Sequence, residues 1–74
     1  MNIDSYVNKN GGLYGEHYKI ALYDAYERFK DMSINELNEW QVFSREEYRK
    51  SPTYQNTANC MIIYELLKEQ GIKS

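Results

Sequence analysis

Two residues of this 74-residue sequence have side chains that could act as a base or a nucleophile: His17, the only histidine, and Cys60, the only cysteine. On a helix, Asp24 lies about two turns from His17, so this carboxylate is too far away to orient the imidazole. A reactive cysteine needs a helix N-terminus, a cation or a histidine beside it, and the sequence around Cys60 supplies none of these. We therefore interpret His17 as a surface residue and Cys60 as a small buried hydrophobic residue.

Other motifs that would indicate catalysis or ligand binding are missing from the sequence. The adjacent carboxylates Glu46 and Glu47 would point apart on a helix, so they are poorly placed for acid–base work. Three glycines near the N-terminus match neither nucleotide-binding fingerprint; they are Gly11, Gly12 and Gly15. One cysteine and one histidine would leave a metal site dependent on carboxylates. We therefore predict that the protein is not an enzyme, with no cofactor, metal or small-molecule substrate.

A local basic patch is the one feature that favours nucleic-acid binding. The patch consists of Arg45, Arg49 and Lys50. Tyr48 and Tyr54 are close in sequence and could stack on bases. However, Glu46 and Glu47 interrupt the patch, and the formal net charge of −2 lacks the basic excess that binding to a phosphate backbone usually requires. A small nucleic-acid-binding regulator is therefore the alternative hypothesis, not the preferred one.

The most informative excess is tyrosine, with eight residues in the chain. Tyr23 and Tyr26 lie on the polar side of a predicted first helix, and Tyr54 and Met61 lie on the charged side of a predicted last helix. Exposed tyrosine and methionine are typical of protein contact surfaces, so these four residues are the predicted partner-binding residues. The alternative is that some of them are covered by other parts of the chain. Nearby carboxylates outnumber cations, which would suit a basic partner surface; they are Asp24, Glu27, Asp31, Glu36 and Glu39.

Apolar periodicity predicts two long helices to carry these side chains. In the first, about residues 13–32, apolar residues recur at spacings of three and four. The last helix, about residues 52–70, starts at Ser51–Pro52, where serine can cap and proline fits the first turn. It contains the densest apolar stretch of the chain, residues 60–67, and stops at Gly71.

Two capping boxes predict two short helices between the long ones. Ser33 with Glu36, and Ser44 with Glu47, each have the serine–glutamate spacing in which side chains and backbone N–H groups cap one another. The short helices are expected at about residues 34–41 and 45–50. Residues 1–12 are expected to form an extended or partly ordered N-terminal arm that ends in a flexible Gly-Gly break.

These elements predict an all-α domain over residues 13–74, in which the long helices pack antiparallel and the short helices cover one side. The predicted core is Leu22, Phe29, Leu37, Trp40, Ile62, Ile63, Leu66 and Leu67.

Composition and charge complete the functional hypothesis. The sequence has no apolar run of membrane-spanning length and no basic-then-apolar leader, so we expect no membrane role, and the lone cysteine suits a reducing cytoplasm. Asn, Lys, Tyr and Ile are plentiful in the chain, and their codons are rich in A and T. This residue usage fits a low-GC bacterium or its phages and mobile elements. We expect a non-enzymatic protein–protein interaction module, for example a phage or mobile-element protein that inhibits or regulates a host enzyme or defence system. A homodimer is an open alternative for the partner.

Overall fold

The computed structural model describes residues 1–71, and these residues form an all-helical fold, as predicted. A 3₁₀ turn, Gly11–Leu13, follows the first helix. The α-helices are α1 (Ile3–Asn10), α2 (Glu16–Phe29), α3 (Ile34–Lys50) and α4 (Tyr54–Gly71). None of the described helices combines the length and the apolar character needed to cross a membrane.

The N-terminal segment forms helix α1 rather than an extended or partly ordered arm. Asn2 caps this helix, because its side-chain oxygen accepts a hydrogen bond from the Ser5 backbone N–H at 3.1 Å. Val7 is buried against the body, and the Met1 amino group forms an ion pair with Glu69 of α4 at 2.7 Å. A helix of this length is marginal by itself and depends on tertiary packing, so its short apolar pattern gave no clear signal in the sequence.

The segment predicted as two short helices is the single continuous helix α3. The first capping box forms: Ser33 Oγ accepts from the Glu36 N–H at 3.2 Å, and Glu36 Oε1 accepts from the Ser33 N–H at 3.0 Å. The second box does not form. Ser44 is instead buried within the helix, where its hydroxyl donates to the Gln41 carbonyl at 3.2 Å. A serine that bonds to the preceding turn can remain inside a helix, and Ser44 does so at the contact with α4.

The unbroken helix α3 also changes the relation between the two long helices, which run parallel rather than antiparallel. Seventeen helical residues span about 25 Å, so α3 carries the chain back to the end at which α2 began. His17 and Tyr54, near the starts of α2 and α4, accordingly stack with ring centroids 6.0 Å apart. Each long helix is therefore antiparallel to α3 and parallel to the other.

The bounds of the long helices differ from the predicted ones by a few residues. Helix α2 starts only at Glu16, because Gly15 adopts a positive φ of 86°. Helix α4 starts two residues after Pro52, since Thr53 is the capping residue: its hydroxyl oxygen accepts from the Asn56 N–H at 3.1 Å.

The core lies where α4 packs against both α2 and α3, and it contains the predicted residues. Seven of them are buried, and Trp40 is partly buried and packed against the others. Small residues complete this core, which brings the helices close together; they are Ala21, Ala25 and Ala58.

The first prediction concerns Gly15, whose φ of 86° and ψ of −168° lie in a region that only glycine adopts freely. We expect Gly15→Ala to lower the free energy of unfolding by about 1–3 kcal/mol because the added Cβ strains the backbone. Urea denaturation followed by circular dichroism measures this loss. Gly12→Ala is the matched control, since a Cβ at Gly12 meets nothing within 4 Å. Equal losses for both variants would contradict the assignment.

Candidate functional site

A groove lined by tyrosines runs along the outer face of the first half of α4. It consists of two adjoining depressions of about 230 and 210 Å³ that share Tyr14, Tyr48 and Thr57. Tyr54 belongs to the first depression and Met61 to the second. We call this feature the tyrosine groove; its tyrosines and methionine are Tyr6, Tyr14, Tyr18, Tyr48, Tyr54 and Met61.

Three parts of the fold position these side chains. Tyr54, Thr57 and Met61 are spaced by three and four residues, so they form one stripe along α4. The Thr57 hydroxyl donates to the Thr53 carbonyl at 2.8 Å, which fixes its orientation at the floor of the groove. The segment from α1 to the start of α2 forms one wall, in which the rings of Tyr14 and Tyr18 meet edge to face at 5.0 Å. The end of α3 forms the other wall and contributes Tyr48.

The rim of the groove leaves large side chains in contact with solvent. Tyr14 is 56% exposed, Tyr54 47%, Tyr48 43% and Met61 39%. A folded protein exposes scattered apolar residues without consequence, whereas these four line the same two adjoining depressions. Tyrosine and methionine are also residues that binding surfaces favour.

The floor of the groove carries hydroxyl groups that stay protonated. The buried Tyr6 hydroxyl has no hydrogen-bond partner within the described residues. Burial, together with the neighbouring Tyr18 and Glu65, raises the pKa of Tyr6 to about 12. Burial also raises the pKa of Tyr18, with further contributions from Tyr14 and Tyr48. Because the residues that line the groove are uncharged, it offers aromatic faces and hydroxyl donors rather than a charged field.

The structure brings two of the four predicted partner-binding residues, Tyr54 and Met61, into this groove and places Tyr23 and Tyr26 elsewhere. The Tyr23 hydroxyl donates to Asp4 Oδ1 at 2.7 Å, which ties α2 to α1 and raises the pKa of Tyr23. Tyr26 is half-buried against the core. Tyr23 nevertheless stays 40% exposed, so partner binding by these two residues remains a prediction and concerns a surface apart from the tyrosine groove.

Tyr14 and Tyr48 were not predicted as site residues because the sequence pattern already gave each a structural explanation. Tyr14 continues the apolar stripe of the first long helix, and Tyr48 has the spacing expected after a capping box. Neither pattern indicates that the two residues meet, since 33 intervening residues separate them in the chain. The closeness of Tyr48 to Tyr54 in sequence was the only available signal, and it did not extend to Tyr14.

The residues of the basic patch do not form one continuous surface. Arg45 and Arg49 are four residues apart and share a face of α3, and neither forms an ion pair within the described residues. Lys50 points about 100° away from Arg49 and lies 3.9 Å from the Glu47 carboxylate. The groove itself is lined by no arginine or lysine.

His17 and Cys60 occupy separate, structurally explained positions. The exposed His17 ring stacks on Tyr54 at an interplanar angle of 11°. The thiol of Cys60, which is only partly buried, donates to the Ser44 carbonyl at 3.2 Å and so helps to join α3 to α4. Within residues 1–71, no three His, Cys, Asp or Glu side chains gather to hold a metal ion.

The second prediction concerns the unpartnered hydroxyl of Tyr6. We expect Tyr6→Phe to leave the free energy of unfolding at neutral pH unchanged or to raise it by about 1 kcal/mol, because a buried donor without a partner is unfavourable. The raised pKa means that the folded state holds this proton more tightly than the unfolded state. The stability that this difference in pKa maintains is therefore fully present below about pH 10, and it is lost as the pH rises towards 12 and the folded protein gives up the Tyr6 proton.

Urea denaturation at several alkaline pH values measures this effect: Tyr6→Phe should reduce the loss of stability between about pH 10 and pH 12. Tyr23→Phe is the control, since it removes a hydroxyl that has a partner, Asp4, and should destabilise the protein at neutral pH. A destabilised Tyr6→Phe variant at neutral pH would show that the hydroxyl has a partner after all.

Comparison with protein-family models, with curated proteins and with solved structures finds no match to this chain. The features that bear on function are therefore those of the molecule itself. They are an uncharged groove between three parts of the fold and four exposed large side chains on its rim.

Proposed function

We propose that this protein is a non-enzymatic protein-binding module that engages its partner through the tyrosine groove. The observation that supports the proposal is the convergence of Tyr14, Tyr48, Tyr54 and Met61, all exposed, from separate elements onto one groove. Residues of these types contribute much contact area for little loss of side-chain entropy. The exposed side chains of Tyr14, Tyr48 and Tyr54 also carry hydroxyl groups that can donate hydrogen bonds to a partner's backbone carbonyls.

A protein segment suits this groove better than a phosphate backbone does. Affinity for nucleic acid comes mainly from cations that neutralise phosphates, whereas the residues that line the groove are uncharged. The formal net charge of −2 also opposes long-range attraction of a polyanion. A partner that presents apolar side chains and free carbonyl groups would meet both the aromatic faces and the hydroxyl donors.

The finer version of the proposal is that binding inhibits or regulates a host protein, in the manner of a phage or mobile-element accessory protein in the cytoplasm. It is supported by the residue usage typical of AT-rich genes. A second copy of the chain is the other candidate partner, and light scattering of the purified protein distinguishes the two.

The third prediction is that Tyr54→Ala and Tyr48→Ala each weaken partner binding by about thirtyfold or more, which corresponds to about 2 kcal/mol for a central contact residue. Affinity purification of the tagged protein from its native host, followed by mass spectrometry, identifies the partner. Titration calorimetry with that purified partner then measures the dissociation constant of each variant.

Tyr64→Ala is the matched control for Tyr54→Ala. Both tyrosines lie on α4 and are exposed to a similar degree, 49% and 47%, but Tyr64 lies outside the tyrosine groove. The proposal fails if Tyr64→Ala weakens binding as much as Tyr54→Ala does, or if neither groove variant changes the affinity.

The fourth prediction addresses the alternative function, a nucleic-acid-binding regulator that uses Arg45, Arg49 and Lys50. One observation favours it: Arg45 and Arg49 share a face of α3, and neither forms an ion pair within the described residues. We expect no gel shift with single-stranded or duplex DNA even at about 50 mM salt, where phosphate contacts are strongest. A shift that weakens with salt and is lost in Arg49→Ala would favour the alternative over the groove.

A further inference from the structure

A second exposed feature lies on α3, apart from the tyrosine groove. It is a shallow depression of about 260 Å³ lined by Glu39, Trp40 and Phe43, which we call the aromatic cup. The Trp40 ring meets the Phe43 ring edge to face, with centroids 5.4 Å apart and an interplanar angle of 87°. On its other side Trp40 meets the fully buried Phe29 at 5.4 Å. The cup is thus anchored in the core and open to solvent.

Packing of the core does not account for Phe43. The residues of α3 that are buried are Leu37 and Ser44, whereas Phe43 is 52% exposed. An exposed phenylalanine held against a half-buried tryptophan gives two aromatic surfaces with a defined relative orientation. Aromatic faces are electron-rich, so they attract cations that approach within about 6 Å of the ring centre.

The charge beside these rings is negative and is not neutralised within the described chain. Glu39 lines the cup and forms no ion pair with any described residue. Two other carboxylates of α3 are engaged, because Glu36 accepts from the Ser33 N–H and Glu47 lies 3.9 Å from Lys50. Glu46 forms no ion pair within the described residues, but it lies outside the cup. Within residues 1–71, Glu39 is therefore a carboxylate without an ion-pair partner at the edge of an aromatic surface.

We propose that the aromatic cup binds a cationic side chain, arginine or lysine, on a basic segment of a partner protein. Glu39 would pair with the charge while Trp40 and Phe43 hold the cation against their rings, which is the arrangement in which both attractions act together. Charge complementarity selects this occupant over an acidic or purely apolar segment. The proposal does not depend on the tyrosine groove, which lies elsewhere and carries no charge.

Trp40 makes the test direct, because it is the only tryptophan of the sequence and lines the cup, so its fluorescence responds to a group that binds there. The probe is a short acetylated helical peptide with arginines one turn apart among leucine and alanine, and the reference is the same peptide with every arginine replaced by glutamine. We expect a saturable change of Trp40 emission with the arginine peptide and none with the glutamine peptide. Added salt should weaken the binding.

Variants assign the effect to the cup. Glu39→Gln and Phe43→Ala should each weaken binding of the arginine peptide by about two- to fivefold, the size expected for one exposed ion pair or one cation–aromatic contact. Glu46→Gln and Val42→Ala are the matched controls, an acid and an apolar residue exposed on the same helix outside the cup, and should change the affinity by less than about 1.5-fold. Tyr54→Ala should bind the peptide normally, which separates this proposal from the proposed function.

Three outcomes would overturn the proposal. An equal response to the glutamine peptide would show that the cup takes apolar groups without regard to charge. The absence of any saturable response would show that no cation binds there. Sedimentation equilibrium that finds a dimer dissociated by Phe43→Ala would show that a second copy of the chain covers the cup.

Discussion

The structure depends on the burial of α4 from two sides. Ala58, Ile62 and Ile63 are fully buried, and Leu66 and Leu67 nearly so, because α2 and α3 both pack against this helix. Burial of one such leucine or isoleucine stabilises a fold by about 1.5–3 kcal/mol. The side-chain ion pairs, by contrast, join residues one turn apart on exposed helix faces, where each contributes less than about 1 kcal/mol. Apolar contact around α4, not surface charge, therefore holds the helices together.

The same packing creates the tyrosine groove. Once two neighbours cover the apolar arc of α4, its remaining stripe of Tyr54, Thr57 and Met61 faces outward. The parallel course of α2 and α4 then brings the start of α2 beside the start of α4, and the return of α3 brings its last turns to the same end. Tyr14 and Tyr48 therefore line the same depressions beside this stripe as a consequence of chain direction, which no local pattern in the sequence specifies.

Local signals were reliable where a single helix could satisfy them and misleading where two helices competed for one residue. Ser33 caps α3 as its spacing with Glu36 predicted, because the side chain of Ser33 is exposed and makes no hydrogen bond with another described helix. Ser44 has the same spacing with Glu47, but its burial at the contact with α4 and the thiol of Cys60 on its carbonyl favour a continuous helix. A capping box depends on four consecutive residues. Whether a serine caps a helix or lies within one depends on how two helices pack.

The sequence by itself determined the helical class, the approximate extent of the two long helices and the residues of the core. These features follow from the spacing of apolar residues within single segments, which can be read directly from the sequence. The tertiary structure alone decided three features: the direction of α2 relative to α4, the helical state of residues 3–10, and the convergence on one groove of Tyr14, Tyr48, Tyr54 and Met61. Each of these depends on contacts between residues far apart in the chain, and their free energies become available only when the helices pack.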